Sequence, residues 1–390
     1  MRKIGIFGGT FNPIHNGHIR LVKEIYVKAD LDFIILVPDN LPPHKEFEGD
    51  VTGEDRLFMC RQACAELGEG KFRTSDIELK RGGKSYTVDT LREMKKIYPE
   101  DEFYLIVGSD MLYTFCEWKE WKEILKLANI CAAGRTEGEQ EELLKKANEL
   151  KAFGGKVAIY DVTPFEISSK EIRVAASRGI DIGNFVPKRV YDFIKEKRLY
   201  PDKYESVREI LKKKLKEKRY IHSENVAIRA VELAKAYGFD EELEEKAYFC
   251  GLIHDICKNI PEREQYEIAK GSDLGISDDE LSSTALYHSK AGAAYIKEKL
   301  GITDEDEINA VRYHTEGRGG MSKLEKAVYL ADLTSDDRNY PDVERMRKIS
   351  EENVDYAMKE ALEFIVGDLI KRGKKPSRNT MDAYNEFVGK

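Results

Sequence analysis

Two runs constrain this chain more than anything else in it: Phe33-Ile34-Ile35-Leu36-Val37-Pro38 and Phe103-Tyr104-Leu105-Ile106-Val107-Gly108. Neither alternates polar with apolar residues. A strand with one wet face must alternate, so a continuous apolar strand belongs to a sheet covered on both sides, the condition of a parallel sheet between layers of helices. The neighbouring segments supply those layers. The pattern predicts a strand over Lys3–Phe7, a helix over Ile19–Ala29, and a helix over Glu54–Leu67 capped by Thr52. A strand over Phe72–Ile77, a turn and helix within Ser85–Tyr98, and a helix over Trp118–Leu127 follow. Strands at Ile130–Ala133 and Val157–Tyr160 and helices at Ser169–Ser177 and Lys188–Lys197 complete an α/β doubly wound parallel sheet. Ligands of such a sheet sit beyond the carboxyl ends of its strands.

Near Leu199-Tyr200-Pro201-Asp202 the pattern changes, and strand signal all but ends. Helices are expected over Glu205–Lys218, Ser223–Tyr237, Glu241–Ile256, Pro261–Lys270, Asp278–Tyr287, Lys290–Leu300, Glu305–Tyr313, Lys323–Leu333, Pro341–Ile349 and Val354–Arg372. A chain of 390 residues is long for one core. It reads as an α/β domain over 1–202 and an all-α domain over 203–390.

Chemistry concentrates where the strands end. The first strand runs into Gly8-Gly9-Thr10-Phe11-Asn12-Pro13-Ile14-His15-Asn16-Gly17-His18. A glycine turn between strand and helix lets backbone N–H groups approach a phosphate, and two histidines at its mouth add donors. Pro42-Pro43-His44-Lys45 and Gly108-Ser109-Asp110 also follow strands, and so converge on the same rim. The helical half carries the other four of the seven histidines: His222, His254 followed by Asp255, His288 and His314, with Asp332 beyond them. Imidazole and carboxylate together suit Fe, Mn or similar metals better than Ca or a structural zinc, and five or six such ligands suffice for two metals. The six cysteines form no C-x-x-C pair and read as buried reduced thiols.

Composition excludes some classes. A net charge of −8 argues against nucleic acid as the main partner. No stretch approaches the ~20 apolar residues of a membrane span. Met1-Arg2-Lys3-Ile4-Gly5-Ile6 leads directly into the glycine turn rather than into a signal peptide, so a cytoplasmic location is expected. A homo-oligomer is compatible with the sequence.

The front half resembles the nicotinate mononucleotide adenylyltransferases of the HxGH nucleotidyltransferase superfamily. The resemblance rests on the glycine-histidine stretch, Leu41-Pro42-Pro43-His44-Lys45, Ser85-Tyr86-Thr87-Val88-Asp89-Thr90-Leu91, Gly108-Ser109-Asp110 and Ile167-Ser168-Ser169-Lys170-Glu171-Ile172-Arg173. It implies a Rossmann-like nucleotidyltransferase fold and the joining of ATP to nicotinate mononucleotide, giving deamido-NAD and pyrophosphate. By the same resemblance His15 and His18 contact the ATP phosphates, with Gly8, Gly9 and Thr10 as donors. Ser168, Ser169 and Arg173 serve the β and γ phosphates. Gly108 and Asp110 lie at the nucleoside, and Asp110 accepts from a ribose hydroxyl. Mg²⁺ accompanies the ATP. Trp118 stacks on the pyridine ring, Thr87 and Lys119 give backbone N–H groups to the nicotinate carboxylate, and His44 and Lys45 sit at the acceptor phosphate. Lys170 stands where the family typically has Thr, and Thr136 follows Arg135 where Pro is common.

The rear half resembles the HD phosphohydrolases. Arg312-Tyr313-His314-Thr315-Glu316-Gly317-Arg318-Gly319-Gly320-Met321, Leu330-Ala331-Asp332 and Asp336-Asp337-Arg338 look like the bacterial diadenosine tetraphosphate hydrolases that cut symmetrically to two ADP. That resemblance implies that His222, His254, Asp255, His288, His314 and Asp332 bind one or two transition metals, iron foremost, with Asp255 bridging. It offers Lys258, Arg318 and Arg338 to the polyphosphate. The expected whole is a bifunctional enzyme. The alternatives are an adenylyltransferase with a non-catalytic nucleotide-sensing HD module, or an HD domain acting on another nucleotide phosphate.

Overall fold

The computed structural model describes residues 1–42, 51–68, 70–134, 139–163, 165 and 167–388. The chain divides into two compact units, Met1–Glu205 and Ser206–Lys390.

The first unit runs β1 (Lys3–Gly9), α1 (Asn16–Lys28), β2 (Phe33–Pro38), α2 (Gly53–Leu67), β3 (Phe72–Thr74), α3 (Ile77–Arg81), α4 (Thr87–Ile97), β4 (Glu102–Gly108), α5 (Ser109–Tyr113), α6 (Trp121–Leu127), β5 (Ala128–Ala133), α7 (Gln140–Ala152), β6 (Val157–Tyr160), α8 (Ser169–Ser177) and α9 (Lys188–Lys197). The strands form one parallel sheet in the order β3-β2-β1-β4-β5-β6. β2 is buried along its whole length, as its composition demands. Two apolar clusters cover the sheet's faces. One holds Val22, Ile25, Ile34, Leu36, Met59 and Ile106; the other holds Ile4, Ile35, Val37, Leu91, Leu105 and Ile130. Successive residues of β2 therefore go to opposite layers. The order reverses between β1 and β4, which places a crevice at their carboxyl ends.

Local details depart from the expected pattern. The strand expected through Ile77 stops at Thr74, because β3 pairs only with β2 and its register ends at Leu36↔Thr74; Ile77 begins α3 instead. Trp118 is not helical. A 3-10 turn at Phe115–Glu117 precedes it, and Glu120 at φ 50 separates it from α6. Helix α7 has no counterpart in the expected pattern, although Leu143, Ala147 and Leu150 bury one face at helical spacing.

The second unit is helical throughout: α10 (Glu205–Lys214), α11 (Glu217–Ala236), α12 (Glu241–Ile253), α13 (Glu262–Gly271), α14 (Thr284–Leu300), α15 (Glu305–Tyr313), α16 (Lys323–Thr334), α17 (Val343–Glu352), α18 (Val354–Lys371) and α19 (Arg378–Phe387). The helix expected over 205–218 breaks at Lys216, whose extended backbone donates its N–H to Asn259 Oδ1 at 2.8 Å. The two helices expected over 278–300 are a single one, α14, continuous through buried His288, Ser289 and Lys290. The final helix, α19, starts from a Ser377 cap and was not expected. No helix among the described residues is long and apolar enough to cross a membrane.

Candidate active sites

In the first unit, β1 ends at Gly9 and α1 starts at Asn16, with His15 as its N-cap. The two histidines cap each other's turn. His15 Nδ1 accepts from the Gly17 N–H at 3.2 Å, and His18 Nδ1 accepts from the His15 N–H at 3.3 Å. Their rings lie 3.7 Å apart between centroids, with Phe11 edge-on to His18. An Nδ1 that accepts carries no proton, so this pattern assigns the neutral ring's proton to Nε2, as a donor.

The turn that joins β1 to this cap is braced from three directions. Arg56, 1% exposed, donates Nη1 to the Thr10 carbonyl at 2.7 Å and to Asp39 Oδ1 at 3.0 Å, and Nη2 to the Asp39 carbonyl at 2.8 Å. The Thr10 hydroxyl donates to Asp39 Oδ2 at 2.7 Å. Arg173 donates Nη1 to the Asn12 carbonyl at 2.8 Å, and the Ser169 hydroxyl donates to the Pro13 carbonyl at 2.9 Å. Tyr200 donates its hydroxyl to Asn12 Oδ1. Ser168 caps α8, reciprocally with Glu171. The start of α8 is thus brought against the turn that follows β1. Arg56, Asp39 and Tyr200 were missed. A buried arginine in a helix otherwise carrying exposed charge leaves no periodic signature.

On the β4 side, Gly108 caps α5, and Asp110 stands exposed in that helix's first turn. Thr87 opens α4, whose N-cap, Tyr86, makes no side-chain cap. Helix starts of this kind present backbone N–H groups to an anion. Lys119 Nζ reaches Asp89 Oδ2 at 3.0 Å and lies 4.4 Å from the Tyr86 ring centroid. Trp118 and Tyr86 pack at the edge of the same apolar cluster, Trp118 beside Phe115. Thr87, Trp118 and Lys119 are therefore gathered. The segment is tied down by buried Glu78, which accepts from the Thr90 hydroxyl, and by Ser85, whose hydroxyl accepts from the Asn40 N–H at 2.9 Å. Burial raises the Glu78 carboxyl above its usual range, against the hydrogen bonds from Thr90 and Ser85. Lys170 is exposed near the start of α8. His44, Lys45, Arg135 and Thr136 lie outside the described residues.

The second unit gathers His222, His254, Asp255, His288, His314 and Asp332 from α11, the end of α12, α14, the end of α15 and α16. Gly251 lets the first two helices meet: a Cβ there would stand 2.8 Å from the Ala227 Cα. This contact brings the His222 and His254 ring centroids to 5.3 Å. The His-Asp doublet does not lie within a helix, as the sequence pattern had implied. α12 ends at Ile253, His254 is its C-cap, and Asp255 follows in a turn.

Two sets of ligand atoms cluster: His222, His254 and Asp332, and His254, Asp255 and His314. His288 Nε2 adds to the second, 3.3 Å from Asp255 Oδ1 and 3.2 Å from His314 Nε2. The outer atoms of the rings are already committed. His254 Nδ1 faces the Gly251 carbonyl at 2.7 Å, His314 Nδ1 the Val311 carbonyl at 2.8 Å, and His222 Nδ1 Asp337 Oδ2 at 2.9 Å. Each fixes a tautomer with its Nε2 lone pair turned inward, the arrangement of a metal-ligating histidine with its outer partner. At the centre, buried His254 Nε2 and Asp255 Oδ1 have no hydrogen-bond partner. Orphaned buried acceptors are costly unless a cation completes them, so the donor set fits a metal.

The electrostatics agree at His288 and His314, and run the other way at His254. Burial pushes His288 and His314 below the usual imidazole range, keeping them neutral. Burial also opposes charge on Asp255 and Asp332, yet facing imidazoles, and Arg338 at Asp332, hold both carboxyls well below theirs. His254 is raised, Asp255 outweighing burial. Three cations rim the cluster. Arg219 Nη1 lies 2.7 Å from Asp255 Oδ2, Lys258 Nζ lies 3.0 Å from His288 Nε2, and Arg338 pairs with Asp332. Arg219 and the orienting Asp337 had not been singled out as site residues. Arg318 instead pairs with Glu325 and lies against the Tyr313 ring.

Comparison with known proteins falls into two stretches of the chain. Residues 6–175 match the cytidylyltransferase-like family and residues 219–337 the HD domain. A probable nicotinate-nucleotide adenylyltransferase of Geotalea daltonii is 38% identical over 215 residues, covering 51% of this chain and 99% of the relative. That of Shouchella clausii is 38% identical over 205 residues, covering 53% and 100%. Among solved structures, a Clostridium acetobutylicum protein described as a predicted HD superfamily hydrolase involved in NAD metabolism is 34% identical. It covers 48% of this chain and 97% of its own, with a TM-score of 0.45. The chain therefore belongs, across its N-terminal half, to the nicotinate-nucleotide adenylyltransferase family, and its helical half carries an HD domain.

Proposed function

We propose that the chain is a bifunctional enzyme whose domains, 1–202 and 203–390, each carry one activity. The first transfers AMP from ATP to nicotinate mononucleotide in NAD biosynthesis. An oxygen of the mononucleotide phosphate attacks the α-phosphorus of ATP, the bond to the β-phosphate oxygen breaks, and pyrophosphate leaves with the electron pair. That phosphate is already anionic at neutral pH, so the protein need only position it and neutralise charge. The observation that carries this reading is the reciprocal His15–His18 cap, which sets two Nε2 donors at the start of α1. Gly8, Gly9 and Thr10 join them, and Ser168, Ser169 and Arg173 serve the outer phosphates with Mg²⁺. Gly108 and Asp110 hold the nucleoside. Thr87, Trp118 and Lys119, with His44 and Lys45, take the acceptor. Backbone donors at Thr87 favour a carboxylate over an amide, whose NH₂ would face donors. Turnover with nicotinate mononucleotide, its amide and phosphopantetheine tests this. The first is expected to dominate, and dominance of either other substrate contradicts the reading.

The second activity hydrolyses a nucleoside polyphosphate, diadenosine tetraphosphate foremost, with water added across a central phosphoanhydride to give two ADP. HD domains bind divalent metals. Here His222, His254, Asp255, His288, His314 and Asp332 would hold one or two such ions, iron foremost, or manganese. When bound, such an ion supplies a Lewis acid and lowers the pKa of coordinated water. Lys258, Arg338 and Arg219 would hold the polyphosphate at the cluster's rim; Arg318 serves from further out. The orphaned His254 Nε2 and Asp255 Oδ1 support the metal reading, and the sequence resemblance supports the substrate.

A further inference from the structure

The HD match ends at residue 337, but the helical unit continues through α17, α18 and α19. Its last helix reaches back to the segments that carry two of the histidines. Lys290 lies two residues beyond His288 and Glu316 two beyond His314. Both are sealed from solvent, at 0% and 2% exposure. Lys290 Nζ pairs with the Glu316 carboxylate, donates to the Arg312 carbonyl at 2.9 Å, and lies 4.3 Å from the Tyr313 ring centroid. Glu316 is gripped in turn by the start of α19. The Ser377 hydroxyl donates to its Oε2, Asn379 Nδ2 donates to its Oε1 at 3.2 Å, and the Thr380 hydroxyl donates to its main-chain carbonyl at 2.9 Å.

A dry ion pair is a poor source of stability, because apolar residues of like volume do as well or better; its best-attested use is to fix register. Here the register is between the two segments whose His288 and His314 Nε2 atoms stand 3.2 Å apart. We propose that the Lys290–Glu316 pair, clamped by the Ser377–Thr380 turn, positions His288 and His314 for the metal, so that residues beyond the HD core complete the centre. Neither side chain touches the metal; both act through the histidines. The inference rests on reading the histidine-aspartate cluster as a metal centre.

Co²⁺ titration of the full-length protein, followed by calorimetry and by the visible absorption of the bound ion, tests it. Ser377→Ala is expected to bind Co²⁺ roughly tenfold more weakly than the parent, the scale of losing an outer-shell partner. Ser377→Thr, which keeps the hydroxyl, restores parental affinity. The Lys290→Met/Glu316→Met double variant is expected to stay folded, with some stability lost where Lys290 also faces Glu280 at 3.5 Å, yet to show weakened binding and a shifted absorption band. Parental affinity and spectrum in both Ser377→Ala and the double variant overturn the clamp alone. Failure of the parent itself to bind Co²⁺ overturns the metal centre and the clamp with it. If the double variant does not fold, Ser377→Ala against Ser377→Thr decides.

Discussion

Arg56 shows how much of a nucleotide-type turn is held from behind. Its guanidinium satisfies the Thr10 carbonyl, the Asp39 carboxylate and the Asp39 carbonyl from a position 1% exposed. Removing one partner of a buried, hydrogen-bonded charge pair leaves the other stranded, at a cost of about 3–5 kcal/mol. Arg56→Met is therefore expected to lower the unfolding free energy of the first unit by an amount on that scale, and to raise KM for ATP as the turn loosens. Arg56→Lys should rescue little, since an ammonium cannot reproduce the planar fork. Denaturant titration with steady-state kinetics checks both. The histidines of the same turn were legible in the sequence because they stand at a glycine-marked strand end. Arg56 was not, because its partners lie at Thr10 and Asp39 and only the fold brings them together. The same holds for Asp337 behind His222. In each case the contacting residue was readable and its support was not.

At the scale of elements, the parallel strands were readable from their unbroken apolar composition, while their order, β3-β2-β1-β4-β5-β6, is known only from the structure. Element ends were less so. β3 stops where its single neighbour stops supplying partners, and α14 runs unbroken where the surface pattern read as two helices. The turn before α14 is pinned to α15 by a carboxylate. Glu280 accepts from Arg312 Nε at 2.8 Å and Nη2 at 2.7 Å, and from the Ser277 N–H at 3.1 Å. Burial works against its charge, but Arg312 and Lys290 outweigh that and hold its carboxyl down at about 2, from an ordinary 4.5. A carboxyl depressed on folding stabilises the folded state above its unfolded pKa and loses that contribution as pH falls toward the folded one. Stability should therefore fall between pH 4.5 and about 2 with a slope that Glu280→Gln reduces. Urea midpoints across that range check the slope; equal slopes in the two proteins contradict the assignment.

Across the whole molecule, two units carry chemically different centres. In the reading proposed above, the first holds phosphate with backbone N–H groups, imidazole and guanidinium and needs no general base. The second buries imidazoles and carboxylates whose inner atoms, His254 Nε2 and Asp255 Oδ1, lack a hydrogen-bond partner. The division into an α/β half and a helical half was legible because strand signal ends abruptly near Asp202. The role of the last helix was not, because its partners Lys290 and Glu316 lie some sixty to ninety residues earlier in the chain. If one chain carries two independent activities, they are separated by product analysis of the parent, His18→Ala and His254→Ala proteins. Each would be given ATP with nicotinate mononucleotide and, separately, diadenosine tetraphosphate. The parent should form deamido-NAD from the first mixture and ADP from the second. His18→Ala should lose the first product by at least about 10²-fold, the scale of removing a transition-state donor, and keep the second; His254→Ala should do the reverse. Full ADP formation by His254→Ala, or loss of both products in either variant while it remains folded, would contradict the account.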